Sequence, residues 1–92
     1  MKLNHDCVRD VLLYIEENAS YSNTVNQEVI ATNFQNHDKF ELIYAIEKLY
    51  ETNYINGSKH NALNGPYPFF NIVDISYDGH EFLDNIRNDN VW

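Results

Sequence analysis

Residues 38–55 have the sequence DKFELIYAIEKLYETNYI, which predicts a long helix followed directly by a strand. Asp38 is suited to cap this helix. An apolar stripe follows at helical spacing: Leu42, Ala45, Ile46 and Leu49. Further apolar side chains flank the stripe: Phe40, Ile43, Tyr44 and Tyr50. Such a helix is either deeply buried or presents an apolar outer face. Asn53 lies where a helix-ending residue of left-handed geometry is expected, and asparagine tolerates that geometry well.

The segment after this helix predicts a β-hairpin over residues 54–75. Asn64-Gly65 is a strong signal for the hairpin turn. Pro66 and Pro68 cannot donate to a strand ladder, so the returning strand, residues 69–75, is predicted at an edge of the sheet. Asn56-Gly57 marks the position of a β-bulge.

Two further helices flank this central unit. Asn4 is a suitable N-cap for a helix over residues 4–18, and Ser76 is a suitable N-cap for a last helix. Residues 24–34 are ambiguous, because Val25, Val29 and Ile30 fit a short helix while residues 29–32 also fit a short strand.

The order of these elements predicts an α+β, winged-helix-like fold. It has three helices and a β-hairpin wing in the C-terminal half, followed by the last helix. Residues 1–92 are expected to form a single domain, since the chain has only 92 residues. The winged-helix comparison is an analogy of fold, and it carries little information about function.

Composition restricts the partners more than the fold. Six Lys and Arg against 14 Asp and Glu give a formal net charge of −8, which repels a phosphate backbone on average. The single cysteine excludes an internal disulfide. The chain has no signal-peptide pattern and no run of about 18 apolar residues, so we expect a cytoplasmic protein without membrane contact.

The most specific pattern lies near the C-terminus, in residues 77–84, YDGHEFLD, and continues through Arg87, Asp89 and Val91-Trp92. Together with residues 12–17 and 53–55, it resembles an uncharacterised family of small winged-helix-like proteins from phages and prophages of Gram-positive bacteria. Members of that family usually carry glycine where this chain has Asn53. The resemblance implies a phage setting and a fold, but no activity.

The sequence offers few groups for catalysis or metal binding. His5 and Cys7 are two residues apart, which points them about 200° apart on a helix and prevents them from sharing one ion. Cys7 is better explained as a small buried residue than as a nucleophile. His80 is interpreted as a partly buried side chain making one hydrogen bond, rather than as an acid–base partner of Glu81. We therefore expect no metal, no cofactor and no enzymatic activity.

Aromatic and apolar side chains exceed what one small core needs, which favours a protein-binding surface. The candidate partner-binding residues are Phe40, Ile43, Glu47, Tyr50, Tyr67, Phe69 and Trp92. Each of the apolar members, and Phe70 with them, is either an interface residue or part of the core or of a homodimer contact.

The sequence leads to two functional hypotheses. The first is a non-enzymatic phage or prophage accessory protein that binds a host or phage protein, such as an anti-CRISPR inhibitor of host defence. The alternative is a winged-helix DNA-binding transcriptional regulator. Residues 52–73 contain no acidic side chain, which leaves nucleic-acid contact open there and at two lysines of the preceding helix. Those candidates are Lys39, Lys48, Lys59, His60 and Asn61.

Overall fold

The computed structural model describes residues 1–62 and 65–87. Their elements follow in the order α1 (His5–Asn18), β1 (Val25–Asn26), α2 (Gln27–Asn33), α3 (Lys39–Glu51), β2 (Ile55–His60), β3 (Phe69–Ile75) and α4 (Tyr77–Ile86). The three strands form one antiparallel sheet in the order β1-β3-β2. The predicted α+β class is confirmed, and α3 leading into the β2–β3 hairpin gives the described part of the chain a winged-helix-like arrangement.

Side-chain caps begin the helices where the sequence predicts them. Asn4 accepts hydrogen bonds from the N–H groups of Asp6 at 2.9 Å and Cys7 at 3.1 Å. Asp38 accepts from Phe40 N–H at 2.7 Å, and Ser76 accepts from Gly79 N–H at 3.0 Å. These contacts satisfy backbone donors that have no partner inside the first turn of a helix, so three helix starts are set by local chemistry.

The ambiguous segment contains both a strand and a helix. Val25 and Asn26 form β1, and the next seven residues form α2. The strand alternative over residues 29–32 was wrong, because the Asn26 side chain accepts the Val29 N–H at 3.0 Å and starts the helix there. The described part of the chain therefore has a fourth helix, α2, packed against α3.

The returning strand β3 is central in the sheet, so its predicted edge position was wrong. It pairs with β2 on one side and with Val25 and Asn26 of β1 on the other. Pro66 and Pro68 do not prevent this, because they precede the strand, which begins at Phe69. Beside them Gln27, only 1% exposed, donates to the Pro68 carbonyl at 2.7 Å and accepts from Phe70 N–H at 2.7 Å. The Gln27 side-chain amide thus extends the hydrogen bonding between β1 and β3 beyond the two residues of β1.

Two special backbone positions of the hairpin are confirmed. Asn53 has a φ of 63°, the left-handed geometry predicted after α3. The β2–β3 register shifts between Asn56 and Gly57, which is the predicted bulge. A Cβ at Gly57 would lie against the carbonyl oxygen of Asn71, so this close approach of two strands requires glycine. Asn64 of the predicted turn lies outside the described residues.

The core lies between the sheet and the inner faces of α1, α3 and α4. Its largest fully buried members include Phe70, Leu12, Ile15, Leu42 and Leu83. Phe70 is thus a core residue, and the half-buried Tyr50 packs against it at 5.5 Å between ring centroids. At the other end, Tyr54 stacks on Phe82 at 4.9 Å. No helix within residues 1–62 and 65–87 has the length and apolarity to cross a membrane.

Candidate protein-docking surface

Helix α3 has two apolar faces, and only one of them enters the core. Leu42, Ala45, Ile46 and Leu49 are between 0% and 4% exposed and pack inward. On the outer face Phe40 is 52% exposed, while Tyr44 and Glu47 are half-buried. Residues at spacings of three and four share one face of a helix, so these outer side chains form a continuous strip. A single small core therefore leaves part of the apolar surface of α3 outward.

This strip forms one wall of a groove, and the chain entering β3 forms the other wall. The groove has a volume of about 150 Å³. We define the α3–wing surface as the residues lining it: Met1, Phe40, Ile43, Tyr44, Glu47, Pro66, Tyr67 and Pro68. A second, more open groove of about 330 Å³ continues it toward β2 and shares Glu47, Pro66, Tyr67 and Pro68. The two grooves form one surface with aromatic and proline side chains at its centre.

Tyr67 is held at the centre of this surface by three contacts. Its ring meets Phe40 edge-on, with centroids 5.8 Å apart and planes at 74°. Its hydroxyl donates to Glu28 of α2 at 3.4 Å. The ammonium of Lys39 lies 5.4 Å from the ring centroid and donates to Glu28 at 2.7 Å. The pKa of Lys39 is raised to about 12, and the hydrogen bond to Glu28 is the largest cause of this rise.

The other two lysines at this surface are also bound to glutamates. Lys48 lies 5.0 Å from the Tyr44 ring centroid and donates to Glu51 at 3.1 Å, a hydrogen bond that raises the pKa of Lys48. Lys59 of β2 donates to Glu47 of α3 at 3.2 Å. Lys39, Lys48 and Lys59 are therefore each paired with a glutamate of the chain, which makes the surroundings of the aromatic rings less basic than these lysines alone would.

The structure brings together four of the seven predicted partner-binding residues, Phe40, Ile43, Glu47 and Tyr67. Ile43 is only 4% exposed, so it forms the floor of the groove. Tyr50 points to the core, as described above. Phe69 is 41% exposed but lies on the other face of the sheet, beside His60 at 6.4 Å. Trp92 lies outside the described residues.

Four residues of the surface were missed from the sequence: Met1, Tyr44, Pro66 and Pro68. Tyr44 could have been found, because it is four residues from Phe40 and Lys48 on one helix face. Nothing in the sequence indicates that Pro66 and Pro68 line this groove, because their place in it depends on how the chain before β3 packs against α3.

The five predicted nucleic-acid contacts do not form a basic patch. Lys39, Lys48 and Lys59 are in the ion pairs described above. His60 shares a hydrogen bond with the Ser58 hydroxyl at 3.0 Å, and Asn61 lines the second groove. Arg9 and Arg87 are also in ion pairs, with Asp6 and Glu16, so five of the six Lys and Arg residues have a carboxylate partner.

The groups considered for catalysis lie apart from this surface. Cys7 is fully buried, as predicted, and burial raises the pKa of its thiol to about 11, with carboxylates led by Glu41 adding to the effect. A thiol so held stays protonated at neutral pH and is a poor nucleophile. The predicted partial burial of His80 was wrong, because its side chain lies on the exposed side of α4. Within the described ranges no group of three or more His, Cys, Asp or Glu residues could hold a metal ion.

Comparison with known proteins gives a family but no activity. Residues 2–92 match the family described as "Hypothetical protein (DUF2513)". An uncharacterized protein of Haemophilus influenzae is 28% identical over 92 residues, covering 100% of this chain and 73% of that protein. No solved structure matches. Neither match bears on a phage origin or on a Gram-positive source.

Proposed function

The chain belongs to the family described as "Hypothetical protein (DUF2513)", and we propose that it is a non-enzymatic module that acts by binding a protein partner. The contact is made by the α3–wing surface. The proposal rests on one observation above all. The outer face of α3, the helix that reads DNA in winged-helix proteins, here forms an aromatic groove with the prolines that precede β3, and Lys39, Lys48 and Lys59 around it are paired with glutamates.

Aromatic residues at a partly exposed groove supply the kind of anchor on which protein interfaces depend. Tyrosine and phenylalanine bury a large apolar area while losing few rotatable bonds, and binding hot spots are rich in tyrosine. Phe40 at 52% exposed and the half-buried Tyr67 still have area to bury against a partner. A rim of paired charges around them matches the polar rim of protein interfaces.

The net charge of −8 favours a basic partner. The biological setting we propose rests on the resemblance of residues 77–84 and their surroundings to phage and prophage proteins. An acidic chain is attracted to a groove that normally holds nucleic acid, and it can compete there by charge complementarity. We propose that it is a phage or prophage accessory protein of the cytoplasm of a bacterial host. In this setting it inhibits a host defence system and is an anti-CRISPR protein.

A DNA-binding transcriptional regulator is the second candidate. The winged-helix-like arrangement and the absence of acidic residues from 52 to 73 favour it. It requires Lys39, Lys48 and Lys59 to leave their glutamates for phosphates. Exposed ion pairs are weak, about 0.2–1 kcal/mol, so such an exchange is cheap, but the glutamates would then face the phosphate backbone.

A plasmid-interference assay tests the proposed function. Cells with active CRISPR interference, one strain for each interference type, are transformed with a targeted plasmid while the chain is expressed. We expect the chain to restore transformation in at least one strain. The double variant Phe40→Ala/Tyr67→Ala should lose this effect while keeping its circular dichroism spectrum.

The matched control is Tyr21→Ala/Tyr77→Ala, which removes two aromatic rings that are 104% and 78% exposed away from the groove. It should protect the plasmid as well as the wild-type chain does. Equal loss of protection in both double variants would contradict the assignment to the α3–wing surface. No protection in any strain, with tight binding of the chain to duplex DNA, would favour the regulator instead.

A further inference from the structure

We propose that the α3–wing surface selects an arginine-rich segment of its protein partner. In the free chain, Lys39 and Lys48 occupy the positions that the partner's arginines take in the complex. This inference rests on the proposed function and names the chemistry of the partner.

The observation behind it is that the surface holds two cations in the same way. Lys39 lies 5.4 Å from the Tyr67 ring centroid and 2.7 Å from a Glu28 oxygen. Lys48 lies 5.0 Å from the Tyr44 ring centroid and 3.1 Å from a Glu51 oxygen. In both places an ammonium is held between the face of a tyrosine ring and a carboxylate. These two sites each have the chemistry of a receptor for a cation.

Arginine fits such a site better than the lysine that occupies it. A guanidinium stacks flat on an aromatic ring and donates two parallel hydrogen bonds to one carboxylate, whereas an ammonium acts as a compact point charge. Guanidinium is also less strongly hydrated, so it loses less on leaving water. The ion pairs to be displaced are solvent-exposed and therefore weak. A partner arginine can exchange with Lys39 or Lys48 at low cost.

A second copy of this chain is a poorer occupant of the surface. Its formal charge is also −8, so two copies repel each other. The chain has two arginines, Arg9 and Arg87, and they lie on α1 and just after α4, each in an ion pair. A basic protein surface, such as one that holds nucleic acid, brings the arginines that this chain lacks at the groove.

Two labelled peptides test the inference, nona-arginine and nona-lysine, with binding to the full chain followed by fluorescence anisotropy at low salt. We expect nona-arginine to bind more tightly than nona-lysine. Lys39→Ala should tighten nona-arginine binding about two- to fivefold, because it empties the site beside Tyr67. Arg87→Ala is the control, since it frees the carboxylates of Glu16 and Asp84, while within residues 1–62 and 65–87 no tyrosine ring lies over its guanidinium. It should tighten binding less.

Neutralising a carboxylate gives the opposite test. Glu28→Gln should weaken nona-arginine binding about two- to fivefold, while Glu17→Gln, an exposed carboxylate near the end of α1, should have a smaller effect. Tyr67→Leu should remove the preference for arginine over lysine. Circular dichroism confirms that each variant is folded.

Three results would overturn the inference. They are equal effects of Lys39→Ala and Arg87→Ala, equal effects of Glu28→Gln and Glu17→Gln, or no preference for nona-arginine. Each would mean attraction by net charge alone. Because protection of the targeted plasmid is measured separately, a chain that protects cells without an arginine preference contradicts this inference and leaves the proposed function standing.

Discussion

Replacing Gln27 with methionine should remove a large part of the stability of the fold. The substitution keeps the length and volume of the side chain but takes away its two hydrogen bonds of 2.7 Å, to Phe70 N–H and to the Pro68 carbonyl. A buried group left without a partner costs about 1–3 kcal/mol. The Phe70 N–H incurs this cost in full, while the carbonyl beside the half-buried Pro68 incurs less, so we expect a loss of about 2–4 kcal/mol.

That loss is large beside the total, because a domain of this length is stable by about 5–14 kcal/mol. The midpoint of thermal unfolding should fall by roughly 10–25 °C. Urea unfolding followed by far-UV circular dichroism measures the free energy, and hydrogen exchange measures the protection of the Phe70 amide. Gln35→Met is the matched control, since Gln35 is exposed. If both variants lose the same stability within about 0.5 kcal/mol, the structural role assigned to Gln27 is refuted.

Three further predictions concern stability. Gly79→Ala should lower the free energy of unfolding by about 2 kcal/mol or more, because the new Cβ would meet the Tyr54 carbonyl. This loss should exceed the gain from the better helix propensity of alanine. A higher free energy of unfolding in urea would contradict the prediction. Between pH 9 and 11 the free energy of unfolding of the wild-type chain should fall by up to about 1.4 kcal/mol per pH unit more than that of Cys7→Ala. The reason is that the pKa of the thiol is 9.0 in the unfolded chain and about 11 in the folded chain. Parallel pH profiles of the two free energies would contradict this. Phe40→Ala should lower the stability measured by thermal unfolding by no more than about 1.5 kcal/mol, since about half of the ring already contacts water. A loss of stability typical of a core phenylalanine would show instead that the ring is part of the core.

The sequence predicts those features that depend on near neighbours in the chain. Asn4, Asp38 and Ser76 start their helices because capping is decided within three residues. Asn53 and the bulge at Asn56-Gly57 also follow from local backbone preference. The apolar excess of α3 predicted that part of its apolar surface lies outward, and the structure places Phe40, 52% exposed, on that outer face.

What the sequence could not supply depends on residues far apart in the chain. The central position of β3 requires β1, a strand of two residues that periodicity cannot detect. Gln27 meets Pro68 and Phe70 across more than 40 residues, and Lys39 meets Glu28 only because α2 packs on α3. Two of the three lysines that made DNA contact a reasonable hypothesis, Lys39 and Lys59, are paired with glutamates of other elements. Lys48 is paired within its own helix, with Glu51.

Binding of the purified chain to a labelled duplex DNA, measured across a salt titration, tests most directly whether the α3–wing surface is built for protein rather than for phosphate. Because Lys39, Lys48 and Lys59 are paired with glutamates, we expect no binding of the chain to duplex DNA even at low salt. Tight binding that falls steeply as salt rises would mean that these lysines release their glutamates and contact phosphates. That result would contradict the assignment of the α3–wing surface to a protein partner and would favour a DNA-binding regulator.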